Sequence, residues 1–175
     1  MNLELAPVPE MLKIALDVHP EDVCLVPERR EERTTEGGLD LIKKFYDIKK
    51  ISDDLTNAGI RVSLFIAPEI DQIDKAIEMK VPIIELHTGN YADFDGELKN
   101  QELKKIQQSV EYAKKAGLLV NAGHGLHYEN VQKIAKIDGI HELNIGHAIV
   151  ARALFIGWES AVVEMKKIIK ENAQS

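Results

Sequence analysis

A carboxyl and an imidazole close one of the short apolar runs in this sequence. Glu85 and His87 lie two residues apart in the run 82–88, so both side chains point to one face of an extended strand. Such a pair can act as a general base and its orienting partner. A purely structural pairing would give the same pattern, and the spacing leaves the two interpretations open.

Two more candidates for proton transfer, Glu4 and His124, occupy similar places. Glu4 lies between two leucines. It is either a strand residue facing solvent or a carboxylate poised as a base by desolvation. His124 stands between Gly123 and Gly125 after an apolar run, which favours an exposed imidazole over a core residue. An imidazole can donate a proton near neutral pH.

Glycine-containing turns suggest where an anion would bind. Gly146 and His147 lead from an apolar run into a helical pattern, where small residues let backbone N–H groups approach a phosphate. The alternative is a plain tight turn. The polar loop 33–40, which contains Thr34, can offer hydroxyl and amide donors or be a surface turn.

Three further histidines and the possibility of a metal site remain. His19, His127 and His141 are expected at the surface or at helix ends. A metal is conceivable, but no ligand spacing supports one. Its ligands would be Glu85, His87, His124 and His147.

The elements that position these residues are short strands alternating with amphipathic helices. Nearly continuous apolar strands that alternate with helices indicate a parallel sheet. Gly59 and Gly117 each follow a helical pattern and are expected to end it in the left-handed conformation. Strands are predicted at residues 3–5, 23–26, 62–66, 82–86, 118–121 and 143–145.

These six strands predict most of a (β/α)8 barrel of the TIM type. A complete barrel has eight strands and about 250 residues, so the chain is shorter by roughly two β/α units. Two long intervals, around 27–60 and 87–117, have room for an extra helix or a long loop. We expect residues 1–175 to form one domain, with its chemistry at the carboxyl ends of the strands.

Composition narrows the functional class. The 175 residues carry a net charge of -7, which gives no general attraction for nucleic acid or an anionic membrane. The single cysteine, Cys24, excludes an internal disulfide and is expected as a small buried residue. The first residues have no signal-peptide pattern, and no apolar run has the length of a membrane span. These features predict a cytoplasmic protein.

The ordered set of motifs resembles one family, the pyridoxine 5'-phosphate synthases. The resemblance covers essentially the whole chain. It rests on Asn2-Leu3-Glu4, Leu25-Val26-Pro27-Glu28, Thr34-Thr35-Glu36-Gly37-Gly38-Leu39-Asp40, Val62-Ser63-Leu64-Phe65-Ile66, Ile84-Glu85-Leu86-His87-Thr88-Gly89, Asn121-Ala122-Gly123-His124-Gly125-Leu126 and His141-Glu142-Leu143-Asn144-Ile145-Gly146-His147-Ala148-Ile149.

The resemblance implies a condensation of 1-deoxy-D-xylulose 5-phosphate with 3-amino-2-oxopropyl phosphate. The products would be pyridoxine 5'-phosphate, phosphate and water, formed through an imine, eliminations and ring closure. It implies no metal or organic cofactor, small phosphorylated molecules as partners, and a homo-oligomer.

The resemblance also implies roles for individual residues. Glu4 would accept a proton, His124 would donate one, and Glu85 would stabilise a charged transition state. Thr34 would contact the deoxyxylulose phosphate. The phosphate of the amino ketone would be bound by Gly125, Gly146 and His147.

The sequence departs from the family at its start. The family opens with two further β/α units, which carry an Asn-x-Asp-His and a His-Leu-Arg motif, and Met1 matches an internal family position. We expect the 175 residues alone to be poorly active. The alternatives are another phosphate-binding barrel, such as a sugar-phosphate aldolase or isomerase, and an inactive fragment. A Schiff-base aldolase would need a lysine at a strand end, and the strand runs contain none. Phe155, Ile156 and Trp158 are expected in an ordinary core, with an oligomer interface as the alternative.

Overall fold

A six-stranded parallel sheet forms the centre of the molecule. The computed structural model describes residues 1–28 and 37–173. In the described residues the strands lie side by side in chain order, each hydrogen-bonded to the next, as successive β/α units require. The strands are β1 (Asn2–Leu5), β2 (Asp22–Leu25), β3 (Arg61–Ile66), β4 (Ile83–His87), β5 (Leu119–Gly123) and β6 (Ile140–Asn144). The prediction of six parallel strands is confirmed, and β1 and β6 form the two edges of this partial barrel.

Helices connect consecutive strands and cover one face of the sheet. They are α1 (Pro9–Val18), α2 (Phe45–Asn57), α3 (Ile70–Met79), α4 (Gly89–Asp93), α5 (Gly96–Lys115), α6 (Val131–Ala135), α7 (His147–Ile156) and α8 (Trp158–Asn172). The long interval after β4 holds α4 as the expected extra helix. The interval after β2 lies partly outside the described residues, and residues 37–44 form turns there rather than an extra helix.

The two faces of the sheet differ in chemistry because side chains alternate along each strand. One face is fully buried and belongs to the apolar core with α2, α3 and α5. The other face carries polar groups, with Glu4 paired to Cys24 and Glu85 paired to Asn121 in the strand register. The core residues of the apolar face include Val23, Leu25, Val62, Leu64, Ile84, Leu86, Val120 and Ala122.

The helix ends follow the predicted glycine rule. Gly59 and Gly117 adopt φ of 84° and 85° just after α2 and α5. A residue with a Cβ is disfavoured there, so each glycine ends its helix cleanly and turns the chain into the next strand.

The predicted sixth strand was placed too late. It runs from Ile140 to Asn144 rather than over 143–145. The reason is that β6 is an edge strand, whose His141 and Glu142 are exposed and therefore break the apolar run that would have marked the start.

The expectation that residues 155, 156 and 158 pack in the core was wrong. Phe155 is 87% exposed and Trp158 is 62% exposed, and Ile156 is 37% exposed. Together with Leu154, which is 83% exposed, they form an apolar surface where α7 meets α8. No helix among residues 1–28 and 37–173 is both long and apolar enough to cross a membrane.

Candidate functional site

A cavity of about 860 Å³ opens at the carboxyl ends of the strands. It brings together six of the seven residues expected from the sequence, namely Glu4, Glu85, His124, Gly125, Gly146 and His147. The seventh, Thr34, lies outside the described residues. The remaining walls are Val26, Pro27, Gly37, Gly38, Phe65, His87, Leu126, His127, Asn144, Ile145 and Ala148.

Glu85 is the buried acid of this cavity. Its side chain on β4 is only 4% exposed, and its Oε2 accepts a 2.6 Å hydrogen bond from Nδ2 of Asn144 at the end of β6. Burial raises the pKa of Glu85 to about 7, and the negative charge of Glu4 adds to this rise, while the Asn144 hydrogen bond opposes it. A carboxyl with a pKa near neutral can both take up and release a proton under physiological conditions.

Glu4 on β1 and Cys24 on β2 are the two ionisable groups of the first strands that act on Glu85. Glu4 lines the cavity, but it is exposed, because β1 is an edge of the sheet in the described residues. Its role as a base poised by desolvation stays a prediction. Cys24 is fully buried, with Sγ 3.6 Å from Oε2 of Glu85. Burial, reinforced by the Glu85 charge, raises the pKa of the Cys24 thiol well above its ordinary value. The thiol is therefore a buried neutral neighbour, as predicted, rather than a nucleophile.

Gly123 leaves the space that the Glu85 carboxyl occupies. A Cβ built on Gly123 would lie 2.4 Å from Oε1 of Glu85 and 2.9 Å from the backbone oxygen of Asn144. Both distances are below contact, so any side chain at position 123 would displace the acid or β6. The glycine of the sequence Asn121-Ala122-Gly123 is thus required by the neighbouring strands.

Two stacked imidazoles form another part of the cavity wall. The rings of His87 and His124 lie 4.8 Å apart between centroids with an interplanar angle of 22°, and Phe65 packs on His87 at 5.2 Å. The Gly89 amide donates a 3.2 Å hydrogen bond to Nδ1 of His87. In neutral His87 the ring proton is therefore on Nε2. A Cβ at position 89 would meet Cε1 of His87, so a larger residue there would displace this ring from its present place.

His124 is held by its backbone in an unusual conformation. Its φ of 81° lies in the left-handed region, which a residue with a Cβ occupies only when the surroundings enforce it. The enforcing group is the buried Thr88, whose hydroxyl lies 2.6 Å from the His124 carbonyl oxygen and 2.7 Å from that of Gly123. The His124 imidazole thereby lines the cavity and remains accessible to solvent.

The turn before α7 borders the cavity beside Glu85. Gly146 precedes the helix, and His147 is its first residue, so the unpaired N–H groups and the positive end of the α7 dipole lie at the cavity wall. Such a helix start stabilises an anion by about 0.3–1 kcal/mol when exposed. The arrangement can place a phosphate within reach of a protonatable carboxyl and an imidazole.

Some cavity residues were missed in the sequence. Asn144 was recognised as a polar residue at a strand end but given no role, and Phe65 was recognised only as a strand residue, although the alternation along β6 and β3 puts both on the polar face. His127, expected at the surface or a helix end, is partly buried and lines the cavity. His19 and His141 are exposed as expected. Within residues 1–28 and 37–173, no three His, Cys, Asp or Glu side chains are arranged to hold a metal ion.

Solved structures share this architecture at low sequence identity. An HpcH/Hpal aldolase/citrate lyase family protein from Burkholderia cenocepacia J2315 matches with a TM-score of 0.61 and 12% identity over 98% of this chain and 76% of that one. The 3-keto-L-gulonate-6-phosphate decarboxylase from Vibrio cholerae O1 biovar El Tor str. N16961 matches with a TM-score of 0.59 and 12% identity, over 99% and 73% of the two chains. These likenesses establish the β/α barrel type of fold.

The family is established by sequence. The family model described as "Pyridoxal phosphate biosynthesis protein PdxJ" matches residues 1–171. The match includes every strand and every cavity residue named above. The chain therefore belongs to the PdxJ family of pyridoxine 5'-phosphate synthases, which are enzymes of vitamin B6 biosynthesis.

Proposed function

We propose that the protein condenses 1-deoxy-D-xylulose 5-phosphate with 3-amino-2-oxopropyl phosphate to give pyridoxine 5'-phosphate, phosphate and water. The observation that carries this proposal is the buried Glu85, which lines the cavity together with Glu4 and His124 and whose pKa is raised to about 7. Imine formation, elimination and ring closure are successive proton transfers. They therefore need groups that change protonation state near neutral pH.

The three candidate catalytic groups surround the cavity from different strands. Glu4 on β1 would accept a proton, and His124 after β5 would donate one to a departing oxygen. Glu85 on β4 would stabilise the positive charge that develops as the imine nitrogen is protonated. Because the cavity walls hold these groups in place before substrate arrives, part of the entropic cost of the reaction is already met.

Substrate phosphates would bind at two backbone turns that line the same cavity. Gly146 and His147 offer the start of α7, and Gly125 gives a backbone approach beside His124 with a φ of 74°. A Cβ at Gly125 would lie 2.6 Å from the Cβ of Ala92, so this position is restricted to glycine. Thr34 remains a proposed contact to the deoxyxylulose phosphate. No metal or organic cofactor is part of this proposal.

A Schiff-base aldolase fits the cavity less well. The described residues that line it include no lysine, and that chemistry needs a lysine amine as the nucleophile. The exposed apolar surface at residues 154–158 supports a further part of the proposal, that copies of the chain associate into a homo-oligomer.

The experiment is a substrate-omission assay. Purified protein is mixed with both phosphorylated substrates or with either one alone, and pyridoxine 5'-phosphate and inorganic phosphate are quantified. We expect both products in equal amounts only when both substrates are present. Conversion of a single sugar phosphate on its own would instead support an aldolase or isomerase. Because the 175 residues alone are expected to be poorly active, the refuting result is a folded protein that also carries the family's two further β/α units and still converts nothing.

A further inference from the structure

The end of β6 connects the buried acid to the turn before α7. Asn144 is the last residue of β6, and only Ile145 separates it from Gly146 and His147. Its side chain passes Gly123 of β5 and donates a 2.6 Å hydrogen bond to Oε2 of Glu85. One residue therefore contacts the acid through its amide and continues through its backbone into the proposed phosphate site.

Asn144 packs closely against Gly123 of the neighbouring strand β5. A Cβ on Gly123 would lie 3.1 Å from the Cβ of Asn144 and 2.9 Å from its backbone oxygen, and the same Cβ would meet Glu85. The side chains of Glu85 and Asn144 therefore fill the space that a side chain on Gly123 of β5 would otherwise take. A shift of β6 would move the amide relative to the carboxyl.

The hydrogen bond also bears on charge. It favours the ionised form of Glu85, because an N–H group donates to a carboxylate more strongly than to a neutral acid. The neighbouring acids have the opposite effect, since the charges of Glu4 and Glu142 raise the pKa of Glu85. The titratable groups around Glu85 are Glu4 on β1, Cys24 on β2, His87 on β4, His124 after β5 and Glu142 on β6.

We propose that Asn144 is a positioning residue, whose amide fixes the orientation and the charge of Glu85 for the reaction and ties that acid to the turn at Gly146 and His147. This inference rests on the proposed function. It goes beyond it by assigning a role to a residue that acts through Glu85 and not on the substrate directly.

Two substitutions test the proposal. Asn144→Leu removes the donor at similar volume, and Asn144→Asp keeps the shape but replaces the donor with a second carboxyl. The titration midpoint of Glu85 is read by NMR of ¹³C-labelled glutamate side chains, with the Glu85 signal identified by its loss in Glu85→Gln. Asn100→Asp, at an exposed position of α5, is the control for the added charge.

We expect the midpoint to rise from about 7 in the parent by about one pH unit in Asn144→Leu and by more in Asn144→Asp. Asn100→Asp should leave it unchanged. The pH profile of kcat/KM should shift in the same direction, which loss of packing alone would not produce. If Asn144→Leu does not fold, the isosteric Asn144→Asp still provides the comparison.

The NMR titration needs no turnover, so it separates the two hypotheses. Equal midpoints in the parent and the folded Asn144 variants would overturn the role of Asn144. The expected order of midpoints, in a protein that also carries the family's two further β/α units and forms no pyridoxine 5'-phosphate, would overturn the proposed function alone.

Discussion

Replacing Glu85 with glutamine should make the protein more stable at alkaline pH. Glu85 has its pKa raised from an ordinary 4.5 to about 7, chiefly by burial. Between these two values the folded protein keeps a proton that the unfolded chain has released. The contribution of Glu85 is therefore most favourable below pH 4.5, and stability is lost as the pH rises through 7.

The size of this loss follows from the difference between the two pKa values. At about 1.4 kcal/mol for each pH unit, the interval from 4.5 to about 7 corresponds to about 3 kcal/mol at pH 8 and above. At pH 5 most of this loss has not yet occurred. Glutamine has nearly the same shape and no charge to bury, so Glu85→Gln should escape it.

The assay is urea unfolding of the parent and Glu85→Gln at pH 5 and pH 8. Effects of the other ionisable groups cancel when the two proteins are compared at each pH. We expect the parent to lose about 2–3 kcal/mol more than Glu85→Gln between the two pH values. Glu97→Gln, at an exposed position of α5, controls for removal of a carboxyl and should behave like the parent. Parallel pH dependences of the parent and Glu85→Gln would refute the claim that this acid is destabilised by burial.

Three further outcomes are expected from other parts of the structure. Gly123→Ala should lower the free energy of unfolding by about 1–3 kcal/mol, measured in urea, because its Cβ would meet Glu85; unchanged stability would contradict that packing. Thr88→Val should cost about 1–3 kcal/mol and reduce turnover, because it removes the hydroxyl that fixes the His124 backbone; full activity at parental stability would exclude this role. Acrylamide quenching of the single tryptophan, Trp158, should weaken as protein concentration rises, and concentration-independent quenching would exclude self-association through this surface.

The order and type of the elements could be predicted because each strand buries a continuous apolar face. Five of the six strands were placed to within about two residues at each end, and Gly59 and Gly117 correctly marked helix ends. The exception, β6, lies at the sheet edge, where His141 and Glu142 face solvent and weaken the apolar pattern. A continuous apolar run is thus what reveals a parallel strand in a single sequence, and His141 and Glu142 interrupt that run in β6.

The sequence predicted which residues line the cavity, but it did not predict the contacts between them. Carboxyl ends of parallel strands meet at one edge, which is sufficient to bring Glu4, Glu85 and His124 to one cavity. The hydrogen bond from Asn144 to Glu85 spans β5 and depends on the register of three neighbouring strands, which no local pattern encodes. The same holds for the stacking of His87 on His124.

The exposed surface at α7 and α8 shows a different limit. An apolar run such as Leu154-Phe155-Ile156 favours a core position in any sequence-based interpretation, yet its first two residues are more than four-fifths exposed here. Whether an apolar residue is buried depends on the neighbours that reach it, and these are set by tertiary or quaternary contacts.

The most direct test of the central claim is the rate of pyridoxine 5'-phosphate formation by the parent and by Glu85→Gln at pH 7, with both substrates saturating. Glu97→Gln serves as the matched control. We predict that Glu85→Gln stays folded and that its kcat falls at least about 100-fold. Losses of this size are typical when a group that acts on the transition state is removed. A kcat in folded Glu85→Gln equal to that of the parent would contradict the assignment of this buried acid to the chemistry.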